Sequence, residues 1–167
     1  MIMENTLSIG MKDEILLIEA TGQMRAGECM ALNDFLGPYL EKVRKPVKIM
    51  IDLHDCTYMD STAIGFILSL QSKCLKYMPE SVTVLNPSEK CKEHLKKLHS
   101  LNKLTISENA TVPDIPLFAI TTDTPDTGSR KNIELVFQAH RILSDINEKN
   151  RREFQDLMDE LTRVLGK

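Results

Sequence analysis

A short polar stretch between two apolar segments is the feature that most constrains this sequence. Residues 47–53 are apolar enough to form a buried strand, and residues 66–70 open an amphipathic helix. Between them, Asp60, Ser61 and Thr62 follow one another. Each can cap a helix by accepting a hydrogen bond from a free amide of the first turn. The pattern predicts a strand, a loop and a helix that begins beside a hydroxyl and a carboxylate.

This stretch resembles the signature loop of the STAS family, the domain shared by anti-sigma factor antagonists and sulfate transporters. In the antagonists the loop reads Asp-Ser-Ser/Thr-Gly-aliphatic-Gly. The matching residues here are Asp60, Ser61, Thr62, Ile64 and Gly65. Ala63 replaces the first glycine and adds a methyl group where a partner would approach. The resemblance runs from about residue 11 to residue 106.

The resemblance implies a STAS-like α/β fold, with a mostly parallel or mixed sheet of four to five strands and helices packed on it. The alternation of predicted strands and helices indicates the same class by itself. Strands are predicted at 6–9, 15–20, 47–53, 82–85 and within 101–106, with the second ending at Thr21-Gly22. Helices are predicted at 26–43, 62–77 and 88–98, and Gly37-Pro38 predicts a kink or a break in the first.

Three regions are predicted along the chain: a STAS domain at 1–106, a linker or irregular packing segment at 107–130, and a C-terminal helical extension at 131–167. Within the second region, residues 115–120 are too apolar for a linker and are expected to pack along the domain as an irregular or strand-like segment. The extension is either one long helix or two helices with a bend near 147–150. Its apolar stripes either pack on the same domain, form a dimer contact, or dock a partner.

Composition and charge exclude several functions. The net charge of −3 argues against a general nucleic-acid-binding protein. No apolar run approaches the length needed to span a bilayer, and the N-terminus shows no secretory signal. We therefore expect a cytoplasmic protein that acts neither on membranes nor on nucleic acids.

Cysteine and histidine spacing predicts neither a metal site nor a cofactor. Cys29, Cys56, Cys74 and Cys91 form no Cys-x-x-Cys pair, so they are expected to be reduced, small apolar residues. The four histidines, His54, His94, His99 and His140, lack metal-ligand spacing. Gly-x-Ser-x-Gly is also absent, so no catalytic residues are predicted and the protein is not expected to be an enzyme.

The family resemblance implies that Ser61 is a phosphate acceptor, with Thr62 as an alternative. The unmodified protein would bind a serine kinase of the histidine-kinase-like ATPase fold, which is also an anti-sigma factor, and so free the sigma factor. Phosphorylation would end this binding, and a metal-dependent serine phosphatase would restore it. The predicted partner-binding residues are Asp60, Ser61, Thr62, Ala63 and Ile64.

Two alternatives remain from the sequence. The chain could be a STAS scaffold that does not switch, or a partner-switching protein with a target other than a sigma factor. In either case the C-terminal helices would assemble the complex, and a homodimer through those helices is one form of it.

Overall fold

The sheet of this protein is mixed and mostly parallel. The computed structural model describes residues 4–42, 47–74, 81–121 and 128–167. The strands within these ranges are β1 (Thr6–Lys12), β2 (Ile15–Met24), β3 (Lys48–Asp52), β4 (Cys56–Met59), β5 (Val82–Leu85), β6 (Ile106–Ser107) and β7 (Phe118–Ala119). The helices are α1 (Ala26–Lys42), α2 (Ser61–Cys74), α3 (Glu89–Lys97), α4 (Arg130–Ser144), α5 (Glu148–Glu153) and α6 (Gln155–Leu165), and Leu101–Lys103 forms one 3₁₀ turn.

The strand order is β6-β5-β3-β2-β1-β7, and β4 pairs with β2 off this path. β1 is antiparallel to β2 and β7, whereas the β2–β3, β3–β5, β5–β6 and β2–β4 pairs are parallel. The predicted α/β class with a mixed sheet is confirmed. β4 is added to the predicted strands, because a segment of four residues is too short to show an alternating pattern, whereas β7 is a two-residue strand within the segment predicted at 115–120.

Residues with left-handed backbone angles lie at the turn between β1 and β2 and near the open end of this hairpin. Asp13 and Glu14 form a two-residue turn with φ of 51° and 64°, the geometry that joins tightly paired strands. Gly22 has φ of 78°, and the β2–β4 register shifts directly after it. The predicted end of β2 at Thr21-Gly22 is wrong, because the strand bends there and continues to Met24.

Most predicted helices begin where the sequence indicates. α1 runs without a break through Pro38 to Lys42, so of the predicted kink or break the break does not occur. Pro38 removes only its own amide donor, and the hydrogen bonds of the neighbouring residues continue the helix past it. The predicted ends of the first two helices, at 43 and 77, lie outside the described residues. α3 starts after Ser88, whose hydroxyl accepts a hydrogen bond from the Cys91 amide, as its cap position predicts.

The region after β6 contains both an irregular segment and three helices. β7 lies within the apolar segment predicted at 115–120 and pairs with β1. Of the two C-terminal alternatives, the interrupted one is right: α4 ends at Ser144, and Asn147 caps the new helix by accepting from the Asn150 amide. No helix in the described ranges has the length and apolarity needed to cross a bilayer.

Helix α4 packs along α2 and shares its core. Leu135 and Leu143 of α4 belong to the same buried cluster as Ile64 of α2 and Ile51 of β3. The two helix backbones touch at Gly65, where an added Cβ would lie 2.2 Å from the Ala139 carbonyl oxygen.

Replacing Gly65 by alanine should therefore push α4 away from α2 and lower the free energy of unfolding by about 1–3 kcal/mol, as overpacking does. Gly37→Ala is the comparison in α1, because its Cβ would meet nothing within 4 Å other than its chain neighbours. Removal of a helix-interior glycine alone would stabilise by up to about 1 kcal/mol, and by less at Gly37, because a Cβ before Pro38 crowds the proline ring. Urea unfolding compares them, and equal stability of the two variants would contradict the close contact.

Candidate functional site

The candidate site forms where β2 and β4 end side by side. Met24 and Met59, the last residues of these strands, are paired, and the Asp60 amide donates to the Met24 carbonyl oxygen at 3.2 Å. α1 begins two residues after β2, and α2 begins two residues after β4. Two helix N-termini therefore lie at one edge of the sheet.

Asp60 holds both helix starts with one carboxylate. Its Oδ1 accepts from the Ala63 amide of α2 at 2.8 Å, and its Oδ2 accepts from the Ala26 amide of α1 at 3.0 Å. A carboxylate is favoured at a helix N-terminus by the free amides and the helix dipole. The sequence predicted the first of these caps. It could not predict the second, because Ala26 and Asp60 are 34 residues apart.

Ser61, the first residue of α2, is half-buried and hydrogen-bonded to a histidine of α4. The distance from Ser61 Oγ to His140 Nε2 is 2.8 Å. His140 Nδ1 lies 2.8 Å from the Val136 carbonyl oxygen, which can only accept. Nδ1 therefore carries the hydrogen of the neutral ring, and Nε2 accepts the hydrogen bond that the Ser61 hydroxyl donates.

His140 is enclosed between helices. Its exposed fraction is 3%, and its ring meets that of Phe154 edge-on, with centroids 5.1 Å apart. Burial lowers the pKa of His140 below its usual range, while the Val136 carbonyl and the Asp60 charge act in the opposite direction. A contact between His140 and Ser61 was not predicted from the sequence. The available signal was the position of His140 on the apolar stripe of α4, where a single titratable side chain can indicate a functional contact.

The predicted partner-binding residues differ in accessibility. Asp60 and Ser61 are partly exposed, whereas Thr62, Ala63 and Ile64 are 6%, 0% and 1% exposed. In this conformation the latter three side chains support the loop from inside. Ala63 contributes its methyl group to the core, so the bulk that its sequence position suggested is not added to the surface.

Of the remaining histidines, His54 and His99 are exposed, whereas His94 and the cysteines are part of the packing. His94 meets the Tyr58 ring edge-on at 4.9 Å, with its Nδ1 3.5 Å from the Met59 amide. All four cysteines are buried and form no disulfide, which agrees with their prediction as small apolar residues. Among the residues that the structure describes, no group of three or more His, Cys, Asp or Glu side chains is arranged to hold a metal ion.

The sequence comparison decides the family. The STAS domain model matches residues 7–111, which is more than half of the 167 residues. The chain belongs to the STAS domain family. No match was found among curated protein sequences.

Two solved structures share this STAS fold. One is the anti-sigma factor antagonist SpoIIAA in its unphosphorylated form, with a TM-score of 0.54, 13% identity, and coverage of 62% of this chain and 88% of SpoIIAA. The other is a Thermotoga maritima protein provisionally described as an anti-sigma factor antagonist, with a TM-score of 0.51, 15% identity, and coverage of 61% and 85%. At these identities the likeness establishes the fold, and the STAS-like architecture predicted from the sequence is confirmed.

Asp60→Ala should remove both helix caps and lower the free energy of unfolding by about 2 kcal/mol, at about 1 kcal/mol for each cap. Asp55→Ala is the matched control. Because Asp55 is exposed, its replacement should lower the free energy of unfolding by no more than about 0.5 kcal/mol. Chemical denaturation measures both. Similar stability of the two variants would contradict the double cap.

The stability contributed by neutral His140 should depend on pH. Because its pKa is lowered in the folded chain, the unfolded chain takes up the proton first as the pH falls through about 6.5. At lower pH, the free energy of unfolding of the wild-type chain should therefore decrease relative to that of His140→Gln, and the difference between the two should narrow. Urea unfolding over a pH series tests this, with His54→Gln as the exposed control. A gap that stays constant with pH would contradict the buried, neutral His140.

Proposed function

We propose that this STAS protein is a regulatory partner switch of the anti-sigma factor antagonist type, with Ser61 as its phosphate acceptor. The observation that carries the proposal is the placement of a partly exposed hydroxyl at the first residue of α2, in the loop that matches the family signature. Thr62, the alternative acceptor, is 6% exposed and therefore less suited to the role.

In this proposal the unmodified protein binds a serine kinase of the histidine-kinase-like ATPase fold that is also an anti-sigma factor. Binding releases the sigma factor, and phosphorylation of Ser61 ends the interaction. A metal-dependent serine phosphatase restores the unmodified form. Asp60 and Ser61 would provide the first contacts, while Thr62, Ala63 and Ile64 would mainly fix the loop. Such partners place the protein in the cytoplasm and require neither a membrane nor a nucleic acid.

Electrostatics at the start of α2 support such a switch. A phosphate brings about −1.5 to −2 charges, and free amides with the positive end of a helix dipole favour an anion at this position. The STAS core should therefore tolerate the modification. The partner surface would lose affinity through added bulk and through repulsion near Asp60. About 3 kcal/mol, roughly a hundredfold change in affinity, is enough for a switch.

The Ser61–His140 pair also has the geometry of a nucleophile and its base, which would favour a hydrolase as a second candidate. Two observations favour the regulatory role. The first is that the group that orients His140 is the Val136 carbonyl, whereas a catalytic triad has a carboxylate in this place. The groove that α2 and α4 form with α1 is lined by residues after Ser61 in α2 and before His140 in α4, including Ser69, Lys73 and Gln138, and neither member of the pair lines it. We therefore propose a protein without catalytic residues.

The two alternatives that the sequence left open concern the target that is regulated and the way in which the complex assembles. A STAS scaffold that does not switch, or a switch with a target other than a sigma factor, would act through the C-terminal helices. Leu157 and Val164 of α6 are 38% and 47% exposed and, with half-buried Leu161, recur at helical spacing. This stripe is where we propose that a homodimer contact forms.

The kinase-binding proposal predicts different behaviour of two Ser61 variants. Ser61→Ala should recover an ATPase-fold serine kinase from cell extract, and Ser61→Asp should recover at least about tenfold less, because its charge repels the bound surface. Ser72→Asp, a charge at an exposed position of the same helix, is the matched control and should behave like wild type. Quantitative mass spectrometry of the captured proteins measures this. Equal recovery by Ser61→Ala and Ser61→Asp would contradict the proposal.

A further inference from the structure

Helix α4 covers the proposed acceptor even though it lies outside the matched part of the family. The family match ends at residue 111, whereas α4 spans Arg130–Ser144. Its contact with α2 therefore belongs to the C-terminal part of this chain. The signature loop faces a helix of its own chain, in addition to any partner.

Two contacts join α4 to the beginning of α2. The Ser61 hydroxyl donates to His140 Nε2 at 2.8 Å. One turn farther along α2, Gly65 meets the backbone of Ala139 so closely that a Cβ would lie 2.2 Å from the Ala139 oxygen. At Gly65 the two helix backbones leave no space for a side chain.

The three C-terminal helices form one unit that is tied to the rest of the protein by a buried amide. The Asn150 side chain is fully buried and donates to the carbonyl oxygens of Leu143 and Leu98, at 3.1 and 2.8 Å. Arg130, at the start of α4, donates to the Leu165 carbonyl at the end of α6 at 3.0 Å. A displacement of α4 would therefore move α5 and α6 with it.

A phosphate on Ser61 does not fit this arrangement. The serine oxygen and the histidine nitrogen are already at hydrogen-bonding distance, so a tetrahedral phosphoryl group has no room between them. Neutral His140 presents a lone pair at Nε2, which a phosphate dianion would repel, and burial opposes the proton uptake that would turn this repulsion into attraction. The Asp60 carboxylate, which caps α2, adds a like charge beside it. The free amides of α2 favour the phosphate, whereas Asp60 and the α4 side do not.

We propose that phosphorylation of Ser61 detaches α4 from α2, with His140 as the positioning residue that couples the modification to this movement. The proposal rests on the proposed function for its acceptor. In the transfer, Ser61 Oγ forms a bond to the γ-phosphorus of a nucleoside triphosphate, and the bond from that phosphorus to the β–γ bridging oxygen breaks. The nucleoside diphosphate leaves, and the hydroxyl proton passes to a base of the kinase. Detachment exposes the apolar face of α4, including Leu135 and Leu143, to solvent.

The test uses the full chain with phosphoserine introduced at position 61 during translation. Hydrogen–deuterium exchange of the α4 amides, followed by mass spectrometry, should accelerate by at least about tenfold relative to the unmodified chain. Phosphoserine at position 72 is the matched control, because Ser72 is exposed on the same helix, and it should leave α4 protected. Unchanged protection of α4 with phosphoserine 61 would overturn the proposal. Equal acceleration of β3 would overturn it as well, since that would report global unfolding.

The role of His140 is tested by combining the modification with His140→Gln. This variant should raise α4 exchange by itself, and phosphoserine 61 should then add less than it adds to the wild-type chain. A purely structural histidine would give equal increments in both backgrounds, and that result would overturn its positioning role.

Translation-time phosphoserine needs no kinase, so the two proposals can fail separately. A protected α4 together with unequal kinase recovery by Ser61→Ala and Ser61→Asp would overturn the release of α4 and leave the switch. A released α4 together with equal recovery would support the release and overturn the kinase-binding proposal.

Discussion

The Asp60 carboxylate is the interaction on which the site depends. One oxygen binds the first turn of α2 and the other binds the first amide of α1, so a single side chain fixes two helix starts at one edge of the sheet. This edge forms only because β4 brings the chain back beside the bent end of β2. The position of Ser61 is fixed by this arrangement, because Ser61 directly follows Asp60, the cap that both helices share.

Ser61 lies between two unlike environments. On one side, the free amides of α2 form an electropositive helix start that accommodates an anion. On the other side, α4 brings a neutral histidine and the edge of an aromatic ring, both shielded from water. A neutral hydroxyl satisfies both sides, since it donates to His140 and needs little space. A charged group satisfies only the first, and this difference is the basis of our proposal that a phosphate on Ser61 would detach α4.

Much of the STAS core could be predicted from the sequence, because long apolar runs and helix caps are local signals. The Asp60-Ser61-Thr62 stretch, the strand at 82–85 and the Ser88 cap are examples. β4 could not be predicted, because it depends on pairing with distant β2 and not on its own pattern, and for β7 only the apolar segment around it was visible in the sequence. The loop motif also gave the correct position for Ser61. It gave no sign of His140, since a contact across 79 residues depends on how α4 packs against Gly65.

The central claim is that Ser61 carries a phosphate in the cell, and site-resolved mass spectrometry of the protein purified from its own cells tests this most directly. Across growth conditions, a fraction of the peptide that contains Asp60, Ser61 and Thr62 should carry one phosphate, and fragmentation should assign it to Ser61. Complete absence of phosphate from this peptide under every condition, with the unmodified peptide well detected, would contradict the account.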